Sequence, residues 1–306
     1  MAIIFIGTPD FAVPSLQALI NNNEDIPLVI TQPDKKRGRG RKVSQPAIKI
    51  AAEKNNIEVR QPDNINDSVI IESLASLSPE FIVVAAYGRI LGSGILKLPE
   101  KGCINVHASL LPKYRGAAPV QWAIINGEKL SGVTTMLMDE GVDTGDILLQ
   151  QEVIIERTDT SATLSERLSN VGADILIDTI RGIRNNSIKP RRQTGTPSYA
   201  PALKKRDGRI DWSKDAESLF NFIRGMYPWP CAYTYLKGKY CRILESEAVE
   251  GSGTPGTVET ISGNIMLIGS GDGLIGIKRL QPEGKKPLDV RAFVNGYRLN
   301  EGDRFD

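Results

Sequence analysis

One histidine, His107, occurs in the 306 residues, and the three cysteines, Cys103, Cys231 and Cys241, are widely spaced. A single imidazole and scattered thiols offer no ligand set for a tetrahedral zinc site, so no metal is expected. An odd cysteine count without a C-x-x-C gives no disulfide framework. The thiols read instead as small buried hydrophobes in a reducing compartment. No apolar run approaches the roughly 20 residues that a membrane helix needs. The N-terminal MAIIFIGTPDF is too short, and lacks the basic flank, to be a signal peptide. A cytoplasmic protein without membrane contact is therefore expected, and the lack of an evident large apolar patch favours a monomer. Net charge is only +2, so any argument for a polyanionic partner rests on local clusters.

Familiar glycine motifs are also missing. IIFIGTPDF begins as strand, glycine turn and helix, but lacks the G-x-G-x-x-G that lets a backbone approach a pyrophosphate, which argues against a nicotinamide dehydrogenase. GSGTPGT at 251–257 has the glycine spacing of a P-loop but no lysine after Gly256, and GSGDGLIG at 269–276 lies between strand-like runs. All three read as turns. There is no G-x-S-x-G nucleophile elbow.

What is present is the composition of an ordinary globular protein, 41% hydrophobic and 24% charged, at a length that suggests two domains. AIIFIG, DIPLVI, IEVR, FIVVAAYG, GCINVHAS and GVTTMLM read as strands. Between and after them, FAVPSLQALINN, QPAIKIAAEKNN, a stretch near IIESLASLSP and the long LSERLSNVGADILIDTIRGI read as helices. This alternation implies an α/β domain with a mostly parallel sheet over residues 1–188. Residues 189–207, rich in proline, glycine and basic side chains, read as a linker. Over 208–306, a helix AESLFNFIRGM is followed by hairpin patterns, CAYTYL-KG-KYCRIL and GTVETI-SGN-IMLIG, then GLIGIKRLQP and a C-terminal helix. Many short strands in about a hundred residues suggest a small β-barrel.

The lone histidine lies in GCINVHASLLP. Side chains at i and i+2 of a strand share a face, so Asn105 and His107 project together, near the carboxyl end where open α/β sheets bind ligands. A loop, LLPKYRGAAPVQW, follows. Further on, MDEGVDTGDILLQ carries four acidic groups, and either Asp143 or Asp146 could return beside the imidazole. An amide, an imidazole and a carboxylate suit acyl transfer to an amine: two groups hold an oxyanion, and the carboxylate orients the ring and helps take up the amine proton. No nucleophilic serine or cysteine is needed if the substrate amine is the nucleophile, and Ser109 reads as a binding residue.

Together, IIFIGTPDFA, TQPD followed by GRGRK, VVAAYGRIL, GCINVHASLLPKYRGAAPVQWAI, GVTTMLMDEGVDTGDIL, IDWS, YPWP and LQPEGKK resemble the methionyl-tRNA formyltransferase family of folate-dependent formyltransferases, nearly end to end. The resemblance implies a Rossmann-like formyltransferase domain, a linker and a C-terminal OB-type barrel. It implies Asn105, His107 and Asp143 as the catalytic residues, with Asp146 in a supporting place, and Ser109, Leu110, Leu111 and Pro112 as a folate-binding element. The implied reaction moves a formyl group from 10-formyltetrahydrofolate to the amino group of methionyl initiator tRNA, giving N-formylmethionyl-tRNA for translation initiation. KKRGRGRK would be the family's tRNA-binding insertion loop, carrying Lys35, Lys36, Arg37, Arg39, Arg41 and Lys42. A second basic cluster, Lys204, Lys205, Arg206 and Arg209, extends the expected RNA surface. Two other readings are a formyltransferase acting on a small amine, such as an amino sugar nucleotide, and a non-catalytic RNA-binding protein. The basic segments count against the first and the intact trio against the second. Tyr227 and Trp229 in YPWP read as packing residues.

Overall fold

The computed structural model describes residues 1–37 and 42–306. The chain divides into two compact units. The first comprises Met1–Pro119, Leu130–Ile154 and Ser165–Pro201; the second comprises Val120–Lys129, Ile155–Leu164 and Ala202–Asp306. Among the described residues no helix is long and apolar enough to cross a membrane.

From the N-terminus the elements are β1 (Ala2–Gly7), α1 (Val13–Asn21), β2 (Asp25–Ile30), β3 (Lys35–Arg37), β4 (Lys42–Ser44), α2 (Ala47–Lys54), β5 (Glu58–Arg60), α3 (Ser68–Ala75), β6 (Phe81–Ala85), α4 (Ser93–Leu96), β7 (Cys103–His107), α5 (Pro119–Ile125), β8 (Leu130–Leu137), β9 (Ile147–Ile154) and α6 (Ser161–Arg184). In the first unit seven strands form one sheet in the order β5-β2-β1-β6-β7-β8-β9. The first five of these are mutually parallel. β1, β6 and β7 are apolar almost throughout because both faces are covered; Ile3, Ile4, Phe5 and Ile6 are fully buried. β8 and β9 run antiparallel. The connection between them, residues 138–146, is shorter than the dozen or so residues that a parallel crossover needs.

Composition set residues 189–207 apart as a linker, and backbone pairing divides that segment. Ile147 and Arg191 exchange hydrogen bonds of 2.8 and 2.9 Å. Further along, Arg115 N–H donates to Ser198 O at 2.9 Å and Ala200 N–H to Arg115 O at 2.7 Å. Residues up to Pro201 thus run with the first unit, and Ala202 begins a stretch of the second.

The second unit holds α7 (Ala216–Met226), β10 (Ala232–Leu236), β11 (Lys239–Val249), β12 (Val258–Ser262), β13 (Ile265–Gly269), β14 (Leu274–Pro282), β15 (Leu288–Asp289) and α8 (Val290–Tyr297). Its sheet is antiparallel, ordered β10-β11-β14-β13-β12, with β15 on β14. Alternation sets the inside: Ala232, Thr234 and Leu236 are buried while Tyr233 and Tyr235 face outward. Lys237 and Gly238 turn the β10–β11 hairpin with φ of 50° and 74°, the positive pair that a type I′ turn requires. The sheet closes into a barrel through the last residues, since Phe305 pairs with Leu236 and Arg304 with Thr257. Inside, Trp212 Nε1–H donates to Thr234 Oγ1 at 3.1 Å, so the buried indole is satisfied.

One ion cluster secures the end of α6. Arg184 donates to both oxygens of Glu24 at 2.7 Å and to Glu80 Oε2 at 2.8 Å, and Glu80 is only 1% exposed. Removing the guanidinium would strand a buried carboxylate. Arg184→Met should therefore destabilise the first unit by roughly 3 kcal/mol in denaturant unfolding, and adding Glu80→Gln should recover part of the loss.

Candidate active site

Asn105 and His107 lie on one face of β7, at 9% and 6% exposure, with His107 the last residue of the strand. Their neighbours are set by register: Val84 of β6 lies beside Asn105, and Thr134 of β8 beside His107. The loop between β8 and β9 folds back over this face. It is drawn shut at its base by Leu137 N–H donating to Asp146 O at 2.9 Å. Within it, Asp139 Oδ1 accepts from Gly141 N–H at 3.0 Å and from the Thr144 hydroxyl at 2.6 Å. Gly145 packs so tightly that a Cβ would lie 1.7 Å from Leu137 O.

This compact loop presents Asp143, whose φ is +52°. Its Oδ1 accepts from Asn105 Nδ2 at 3.4 Å and lies 3.6 Å from His107 Nδ1. Its Oδ2 accepts the Gly116 N–H at 2.8 Å. Of the two aspartates the sequence offered, Asp143 reaches the imidazole, and Asp146 supplies its main-chain carbonyl to the loop's base. His107 Nε2 lies 3.0 Å from Tyr114 O. A carbonyl can only accept, so Nε2 carries a proton, and Nδ1 is the nitrogen turned toward the carboxylate.

The S-L-L-P segment is anchored by its own backbone. The Ser109 hydroxyl donates to Lys113 O at 2.6 Å. Thr134, fully buried, donates to Ser109 O at 2.6 Å and accepts from Leu111 N–H at 3.2 Å and Gln150 Nε2 at 3.0 Å. Leu111 packs on Met136, Ile147 and Met138, while Leu110 and Pro112 remain half-buried. Leu110 and Pro112 thus keep open surface, whereas Ser109 and Leu111 are committed to shaping the turn.

Three contributors to the site escape a reading by residue type: the Tyr114 carbonyl, the Gly116 N–H and Thr134. The glycine in YRGAAP and the polar Thr134 within an apolar strand were the available signals. Burial pushes the Cys103 and Cys241 thiols up to about 12, so neither supplies a thiolate nucleophile near neutral pH.

The basic residues fall in both units. Lys35–Arg37 and Lys42–Ser44 pair as an antiparallel ribbon, and the Lys35 ammonium donates to Gln32 Oε1 at 2.6 Å. Arg39 and Arg41 lie outside the described residues. Lys204, Lys205 and Arg206 stand exposed around a short 3-10 turn of the second unit, where Asp207 Oδ2 accepts the Lys204 N–H at 2.7 Å. Arg209 lies over the Tyr235 ring at 5.8 Å. Trp229 is 53% exposed, so the packing expected of it is not found; it sits between two prolines in a turn that leaves the ring outside.

Comparison with known proteins places the chain in a family. Residues 1–180 match the formyl transferase family and residues 202–298 match the formyl transferase C-terminal domain. The chain is 52% identical over 300 residues to the methionyl-tRNA formyltransferase of Thermodesulfovibrio yellowstonii, covering 98% of this chain and 97% of that one. Among solved structures, an N-formyltransferase from Helicobacter canadensis in complex with folinic acid and dTDP-3-aminofucose shares the fold at a TM-score of 0.70 and 23% identity. That match covers 92% of this chain and 98% of that one. HypX from Aquifex aeolicus in complex with tetrahydrofolic acid matches at a TM-score of 0.65 and 18% identity, over 97% of this chain but 47% of HypX, so the chain spans about half its length.

Gly116 is the position where the site's geometry is least forgiving. Its φ is +119°, and a Cβ there would lie 2.7 Å from Ala200 O. Gly116→Ala should lower stability by about 1–3 kcal/mol and displace the N–H that Asp143 accepts. Thermal unfolding checks it, and an unchanged midpoint would contradict the reading.

Proposed function

The chain belongs to the formyl transferase family, and from that premise we propose that it transfers the formyl group of 10-formyltetrahydrofolate to the α-amino group of methionyl initiator tRNA. The observation that supports the chemistry most strongly is the single carboxylate of Asp143, in contact with Asn105 and facing His107 at the end of β7. The acceptor is suggested by the 52% identity to a methionyl-tRNA formyltransferase over nearly the whole chain.

In this reading the amine nitrogen attacks the formyl carbon of the folate co-substrate, and the carbonyl oxygen becomes an oxyanion. The Asn105 amide and a protonated His107 would stabilise that charge. Because Nε2 is already occupied by Tyr114 O, the second ring proton goes to Nδ1, next to Asp143. Asp143 would hold the ring in this orientation and take up the proton lost by the attacking amine. The intermediate then collapses: the bond from carbon to N10 breaks, N10 regains a proton, and N-formylmethionyl-tRNA and tetrahydrofolate leave. Leu110 and Pro112, with their half-buried surfaces beside this site, and the backbone shaped by Ser109 and Leu111 would contact the folate.

The tRNA would be held by Lys35, Lys36, Arg37, Arg39, Arg41 and Lys42 and by Lys204, Lys205 and Arg206. The three free thiols, all buried, support a reducing, cytoplasmic setting, and the protein is proposed to act as a monomer.

The decisive assay offers the enzyme and 10-formyltetrahydrofolate three acceptors: methionyl initiator tRNA, methionyl elongator tRNA and an amino sugar nucleotide. Formylation of the initiator alone is expected; formylation of the sugar nucleotide alone would overturn the choice of acceptor. Asn105→Ala should lower kcat roughly a hundredfold, and a folded variant with wild-type turnover would remove Asn105 from the mechanism. Replacing the six basic residues of 35–42 by serine should weaken tRNA binding and flatten its salt dependence, with tetrahydrofolate affinity unchanged. Equal loss of both ligands in titrations would mean that the segment is structural.

A further inference from the structure

Asp143 is held at both ends. Its carboxylate accepts from Gly116 N–H, and its main-chain carbonyl accepts from Gln193 Nε2 at 2.9 Å. The same Gln193 nitrogen donates to Gly145 O at 2.8 Å. On the other side, Gln193 Oε1 accepts from Arg115 Nε at 3.1 Å and Nη2 at 2.6 Å. The orientation of this amide is therefore determined. Guanidinium nitrogens only donate and carbonyl oxygens only accept, so Oε1 must face Arg115 and Nε2 must face the loop.

Arg115 stands between Tyr114, whose carbonyl accepts a hydrogen bond from His107 Nε2, and Gly116, whose N–H donates to the Asp143 carboxylate. Gln193 thus ties together the two loops that complete the site. Asp143 has the positive φ that a non-glycine residue keeps only where its surroundings over-determine it. The two bonds from Gln193 and the one from Gly116 are those surroundings.

We propose that Gln193 is a positioning residue for formyl transfer: its amide, fixed by Arg115, holds the Asp143 backbone in the left-handed conformation that aims the carboxylate at Asn105 and His107. The proposal rests on the reading that Asp143 takes part in the reaction. Gln193 touches no reacting atom in this scheme; it acts on kcat through the aim of Asp143. Its bonds run to Arg115, Asp143 and Gly145, so folate and tRNA affinity should be unchanged.

The test is a pair of substitutions in the full chain, Gln193→Glu and Gln193→Met, assayed for formyl transfer beside Asp143→Asn. Thermal midpoint and tetrahydrofolate affinity are measured on each. Misaiming a reacting group costs up to about a hundredfold, so both Gln193 variants should lose roughly ten- to hundredfold in kcat, while KM for the acceptor and the folate dissociation constant stay within about threefold. The carboxyl introduced by Gln193→Glu can donate to a carbonyl only when protonated. Its turnover relative to wild type should therefore rise toward acid pH, while the Gln193→Met ratio stays flat. Wild-type kcat in either Gln193 variant would overturn the proposal, as would a loss that follows the thermal midpoint or appears in KM alone. Should Asp143→Asn keep wild-type turnover, the reading of Asp143 itself fails and takes the proposal with it. Loss in Asp143→Asn with none in the Gln193 variants overturns the positioning role alone.

Discussion

The carboxylate of Asp143 is where the two loops of the site meet, and the arrangement around it depends on where a backbone puts one charge. A surface aspartate would be solvated and mobile. Here one oxygen is spent on a main-chain N–H, and the other faces an amide and an imidazole. A charge held by fixed donors in a largely water-excluded place needs little reorganisation when a reaction develops charge beside it. The cost is backbone strain at Asp143, and an over-constrained pair of loops offsets it. The glycines at 116 and 145 belong to the same solution, because each lets one loop approach a carbonyl more closely than a side chain would permit.

The sheet explains why such loops lie here. β7 is the last of the parallel strands, and its other neighbour, β8, runs the opposite way. The short antiparallel return from β8 to β9 has no helix to carry, so it can fold over the face that bears Asn105 and His107. Across this part of the sheet His107, Thr134 and Gln150 lie in register on adjacent strands. Gln150 Nε2 donates to Leu111 O at 3.0 Å, and its Oε1 accepts from Arg191 at 2.7 Å. That is the same arginine-to-amide-to-carbonyl relay that Gln193 makes with Arg115. Both relays draw on the strip 191–193, which composition alone assigned to a linker.

Much of this was legible from residue patterns, and the boundary between legible and hidden is physical. Strands buried on both faces announce themselves as apolar runs, and period-two alternation puts Asn105 and His107 together without any knowledge of the fold. The hairpin at Lys237-Gly238 follows from turn chemistry. Spacing could not separate Asp143 from Asp146, because three residues of loop can point either carboxylate anywhere; only the resemblance to a family favoured one. The antiparallel sense of β8 is equally silent, since a strand's side-chain pattern reads the same in both directions. The contributions of Tyr114 and Gly116 are main-chain atoms, which every residue carries. Gln193 sits among prolines, glycines and arginines whose composition says only that no helix or strand interior is there. The Ser109 hydroxyl shows a use that residue type does not announce: it donates to Lys113 O within the turn that carries it.

The scarcity of histidine also takes on a meaning in this setting. One ring suffices when its two nitrogens have separate partners. Tyr114 O accepts from Nε2 and Asp143 Oδ1 lies 3.6 Å from Nδ1, so the ring's orientation is set from both sides. That nitrogen faces the one carboxylate of the pair of loops that is aimed inward. One carboxylate, 3.6 Å from the ring and in contact with the Asn105 amide, thus serves both side chains of the β7 face, so a single ring, a single amide and a single charge make up the arrangement.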